Sequence, residues 1–183
     1  MLLSSPDRRK HAATFSHPRS GHSARCDGEW ARSVAFFTLD VIGHHRIPLL
    51  DGGLAAWKAE KRPIELGPPQ KPKQGAFNPT LNAARLADAA FIQQQMTNNG
   101  ISLLDIRPDP EYLGTDGGMS GVHAPGHIPG AQQLPWTTLL GEDGRFLAPP
   151  QLEAKFRAAG ANTGRPVVTY CMVGMRASVA GRQ

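Results

Sequence analysis

Cysteine is scarce in this chain, with two among 183 residues. Two cysteines, Cys26 in a poorly patterned region and Cys171 next to a glycine-containing loop, give no disulfide framework. A reducing compartment, the cytoplasm, is the expected location. No apolar run approaches the roughly 20 residues that a membrane-spanning helix needs, and the N-terminus lacks the 7–15-residue apolar stretch of a secretory signal. Clusters of histidine, cysteine and acid at metal-ligand spacing are also missing, so neither a metal nor an organic cofactor is expected. Acidic residues are outnumbered, for a net charge of +5. Most of that excess sits in residues 1–25, where Arg8, Arg9, Lys10, Arg19 and Arg25 face only Asp7. The remainder is close to neutral, which argues against a nucleic-acid face and for a solvated, unstructured basic tail over 1–29. Arginine, serine and few acids also suit a transit peptide, but a non-native, unstructured start is the preferred reading.

What the chain does have is an α/β rhythm. Val34, Phe37 and Val41 recur at helical spacing from Trp30 until Gly43 stops the run. A short buried strand is expected at Ile47–Leu50, and Asp51-Gly52-Gly53 turns the chain into a helix carrying Leu54 and Trp57. Between Pro63 and Pro79 the prolines, with Lys71, Lys73 and Gly75, exclude regular structure and mark a linker. A helix is expected over Ala83–Asn98, with Leu86, Ala90 and Ile92 inward and Gly100 ending it. Ile101–Asp105 reads as a buried parallel strand. Pro150–Ala159 reads as a helix with proline in its first turn and Leu152 paired to Phe156, and Val167-Val168 as a further strand. A central parallel sheet flanked by helices follows, with its site beyond a strand's carboxyl end.

The segment YCMVGMRAS, Tyr170 to Ser178, carries the chemistry. Cys171 follows an apolar strand and precedes a helix-compatible run, a junction that turns backbone N–H groups toward the loop and favours a thiolate. Arg176 adds positive charge, so Cys171 is a candidate covalent nucleophile. A cysteine ending a strand is otherwise a small core residue; the glycine and arginine at fixed offsets favour the nucleophile. Asp105 and Arg107 form either a structural ion pair or a field toward an anion. His127, within GHIPGA, is placed in a tight turn with its imidazole bonded to backbone in preference to a role as base.

The loop C-M-V-G-M-R resembles the six-residue active-site loop of the rhodanese, or sulfurtransferase, family, in which a cysteine matching Cys171 forms a persulfide. The stretches LLDIRPDPEYLG (Leu103–Gly114), GHIPGA (Gly126–Ala131) and LPW (Leu134–Trp136) are similar to the family signature ahead of that loop, in the same order. LLDGGLAAWKAEKRP (Leu49–Pro63) resembles the end of a preceding rhodanese domain. The resemblance implies a rhodanese-like fold: a partial first domain over 30–62, a proline-rich linker over 63–80, and a nearly complete second domain over 81–183 that stops short of its closing strand. A chain without those core pieces is expected to fall below the ~5–15 kcal/mol margin typical of folded domains.

Sulfur transfer is the implied activity. An anionic donor, thiosulfate foremost and 3-mercaptopyruvate as the alternative, loads Cys171; Met172, Val173, Gly174, Met175, Arg176 and Arg107 form the substrate site, with Asp105 and His127 beside it as structural residues. A thiol or cyanide then accepts the sulfur. No nucleic acid, membrane, metal or cofactor enters, and the oligomeric state is left open. Val173 stands where thiosulfate-using members resemble one another in a basic residue, and Glu111 where they carry an arginine. The small polar C-G-S-G loop of mercaptopyruvate-using members is not matched either. Arg176 is an anion clamp or a brace bonded to a nearby carboxylate. Fold-related cysteine phosphatases place five residues between cysteine and arginine, against four here, so phosphatase activity is not expected. The rival readings are a sulfur-carrier or regulatory module without turnover and an inactive fragment.

Overall fold

A computed structural model describes residues 29–71, 73–116, 125–161 and 164–180. Residues 1–28 of the expected basic tail, Cys26 among them, lie outside the described residues, and Glu29 opens the first helix. The elements run α1 Glu29–Val41, α2 Gly53–Ala59, α3 Ala89–Thr97, β1 Ser102–Asp105, α4 Asp109–Leu113, β2 Gln132–Gln133, α5 Pro149–Ala158, β3 Val167–Tyr170 and α6 Ala177–Ala180, with 3-10 turns at Ala83–Arg85 and Trp136–Leu139. None of the described helices is long and apolar enough to cross a membrane.

The strands form a parallel sheet in the order β2-β1-β3. Every residue of the central β1 is buried, as the unbroken apolar run requires of a strand covered on both faces. Alternation of side chains divides the core in two. Leu104 and Ile106, both fully buried, pack with Leu134, Leu139, Phe156, Ala159 and Ala180 on the face covered by α5 and α6. Ile101 and Leu103 pack with Ala131 and with Ile92 and Met96 of α3 on the opposite face. The result is a helix–sheet–helix sandwich. Asp105 pairs in register with Tyr170, so the residues following β1 and β3 emerge side by side at the carboxyl edge of the sheet.

α1 packs against α6, and the residues flanking α2 reach the 141–146 hairpin, with Phe146 N–H donating to Asp51 Oδ1 at 3.0 Å and an Arg145–Glu60 ion pair. Gly52, with φ +73°, is the N-cap of α2, where a Cβ would lie 2.5 Å from that of Ala56. Only glycine fits there. The 63–80 segment holds no helix or strand among its described residues, and its end docks on α1 through Thr80 N–H to Ile42 O (3.0 Å) and Asn82 N–H to Val41 O (2.7 Å).

Two expectations are corrected. Ile47–Leu50 is not a strand: a strand needs ladder partners for its backbone groups, whereas residues 47–50 join no strand of the described sheet, Leu50 O instead accepts the Gly53 N–H at 2.9 Å in the turn into α2, and Leu50 is exposed. The helix expected over Ala83–Asn98 is broken, with only a 3-10 turn before Leu86, which is extended and exposed. Asp88 is the reason. Its carboxylate accepts the Phe91 N–H at 2.8 Å, capping α3 and holding residue 88 itself out of the helix. Ala90 faces solvent, while Ile92 packs on the core as expected.

Candidate active site

β3 ends at Tyr170, and Cys171 is the first residue past the sheet edge, half-buried and a free thiol. The chain then turns through Met172–Arg176 into α6. Gly174 takes φ +85°, a conformation that disfavours L side chains, and its N–H points at Cys171 Sγ from 3.1 Å. An N–H donor aimed at sulfur stabilises negative charge there, as on a thiolate. The turn is held below by Ser178 Oγ–H to Met175 O (2.6 Å) and by Thr169 Oγ1–H to Ala177 O (3.2 Å). Met172 and Met175 are half-buried, and Val173 is exposed at the tip.

Arg176 turns inward. Its Nη1 and Nη2 donate to Glu111 Oε1 and Oε2 at 2.6 and 2.8 Å, and both side chains are buried. Hydrogen bonds to Glu111 raise the guanidinium pKa above its ordinary value; burial opposes them, and the charges of Glu111 and Cys171 add to the rise. Of the two roles read for Arg176, the geometry is that of the brace. Its partner, Glu111, was named from the sequence only as a departure from the family's arginine, not as the carboxylate that holds Arg176. Glu111 lies on α4, whose position relative to the loop no spacing rule reports.

Arg107 is likewise engaged. Its Nε lies 2.9 and 3.1 Å from the Asp105 oxygens, its Nη2 donates to Asp105 Oδ2 at 2.6 Å and to Gly126 O at 2.7 Å, and its Cζ sits 5.7 Å from the Tyr170 ring centroid. Asp105 is fully buried, so the structural ion pair is the arrangement found. The pair fixes the GHIPGA turn from one side. From the other, Tyr170 Oη accepts the Ile128 N–H at 3.1 Å and Tyr112 Oη donates to Ala131 O at 3.0 Å. His127 stacks on Tyr112 with centroids 3.8 Å apart, its Nδ1 2.8 Å from Tyr112 O. An imidazole held in this way supports a turn. The tyrosines in these roles were not anticipated.

Residues 88–183 match the Rhodanese-like domain family. The chain belongs to the rhodanese family. It is 44% identical over 132 residues to a Pseudomonas aeruginosa protein named probable 3-mercaptopyruvate sulfurtransferase, covering 70% of this chain and 45% of that protein. It is 30% identical over 138 residues to bovine thiosulfate sulfurtransferase, covering 75% and 46% respectively. SseA from Escherichia coli, a 3-mercaptopyruvate sulfotransferase, superposes with TM-score 0.72 at 27% identity over 83% of this chain and 56% of its own. This rhodanese chain spans about half the length of the curated relatives it matches.

Proposed function

We propose that the chain carries sulfane sulfur on Cys171, taking it from a small anionic donor and passing it to a thiol or to cyanide. The observation that supports this most is the Gly174 N–H directed at Cys171 Sγ within a six-residue loop at the carboxyl edge of a parallel sheet. With thiosulfate, the Cys171 thiolate attacks the outer sulfur, a new S–S bond forms, and the old one breaks with its electron pair leaving on sulfite. With 3-mercaptopyruvate the attacked atom is the mercapto sulfur; the C–S pair leaves as the enolate, which takes a proton to give pyruvate. Cyanide or a thiolate then attacks the terminal persulfide sulfur and returns Cys171 as thiolate.

Within this reading Met172, Val173, Gly174 and Met175 surround the donor, Arg176 braces the loop, and Asp105, Arg107 and His127 shape the adjoining turn. The relatives' names support both donors, and the two-cysteine composition supports a reducing, cytoplasmic setting. Thiocyanate and pyruvate formation by the chain, by Cys171→Ser and by Cys26→Ser tests the proposal. Activity with either donor that is lost in the first variant and kept in the second is expected; equal activity in both variants contradicts it.

A further inference from the structure

Arg176 is the sole charged residue of the C-M-V-G-M-R loop, and its guanidinium spends two N–H groups on the buried Glu111 carboxylate. The other arginine at this sheet edge, Arg107, is paired with the buried Asp105. Each cation therefore presents an ion pair to the loop, not a net charge. The remaining loop side chains, Met172, Val173 and Met175, are apolar. The cost of bringing an ion out of water rises steeply with its charge and must be met by opposite charge in the site. Among the described residues, a dianion finds little of it here.

Resting on the sulfur-transfer reading of Cys171, we infer that Glu111 is a specificity-determining residue that acts through Arg176: by cancelling the loop's cation it selects organic sulfur donors carrying a single negative charge over dianionic thiosulfate. Glu111 touches no donor itself. Its carboxylate sets the potential that a donor meets at Cys171, while the bidentate geometry holds Arg176 in place.

Glu111→Gln keeps the shape and one acceptor oxygen but removes the charge. In a Cys26→Ser background, where Cys171 is the only thiol, the rates of alkylation by iodoacetate and by iodoacetamide are compared. Their ratio cancels the thiolate fraction and reads the local potential. The ratio rises about threefold or more in Glu111→Gln at low salt, falls back at high salt, and returns to the starting value in Glu111→Gln/Arg176→Gln. In the same Glu111→Gln protein kcat/KM for thiosulfate relative to 3-mercaptopyruvate rises by a similar factor, chiefly through KM for thiosulfate. An unchanged alkylation ratio overturns the inference, as does a starting protein that prefers thiosulfate. A ratio that rises in a protein that takes sulfur from neither donor overturns the sulfur-transfer reading and the donor preference with it, leaving only the charge cancellation standing.

Discussion

Glu111 and Arg176, 65 residues apart in sequence, share two buried hydrogen bonds of 2.6 and 2.8 Å that tie α4 to the turn before α6. Removing one partner leaves the other charge buried and unpaired. Glu111→Ala should therefore lower unfolding stability by about 3–5 kcal/mol in urea titrations, whereas Glu111→Leu combined with Arg176→Met should recover most of that loss. A single variant as stable as the parent would show that the pair does not hold the loop.

The sheet centre makes a second expectation. Leu104 is fully buried between two layers, and truncation to alanine leaves a cavity that neighbouring strands cannot close. Leu104→Ala should cost about 2–5 kcal/mol, read as a drop in the thermal midpoint.

How far these elements were legible depended on whether the signal was local. The apolar run at 101–105, the proline-started helix before Gly160 and the Cys171 loop are written in consecutive residues, and each appears where it was expected. The 83–98 segment was misread because helical spacing outweighed Asp88, whose carboxylate caps the chain from outside the helix. Ile47–Leu50 has strand chemistry but joins no strand among the described residues. At the site, an acid near Arg176 was foreseen as a class of partner. Its identity as Glu111, and the service of Tyr112 and Tyr170 to the GHIPGA turn, come from the sheet register that sets β1 beside β3.

Tyr170 should make the protein alkali-sensitive. Burial, first, raises its hydroxyl above the ordinary 10.0, with Asp105 adding to the rise and the Ile128 N–H and Arg107 opposing it. The folded state thus holds the proton more tightly than the unfolded one, so this contribution is full below pH 10 and diminishes as the pH rises above it. Tyr170→Phe should flatten that alkaline decline in urea midpoints measured on either side of pH 10. It should also lower neutral-pH stability by about 1–3 kcal/mol, because the Ile128 N–H loses its acceptor.

Gly174→Ala probes the loop backbone. A Cβ at this position meets open space, so the penalty is conformational, on the order of 1–2 kcal/mol for φ +85°. Relief of that strain swings the N–H away from Cys171 Sγ. Sulfur loading should slow more than global stability falls, as stopped-time loading and urea titration compared on one preparation would reveal.

The central claim is that Cys171 is the sulfur carrier, and intact-mass and peptide mass spectrometry after brief exposure to 3-mercaptopyruvate or thiosulfate tests it most directly. The account predicts a gain of one sulfur atom on the Cys171 peptide, absent from Cys171→Ser, retained in Cys26→Ser and discharged by cyanide. Sulfur found on Cys26, or on neither cysteine with both donors, would contradict it.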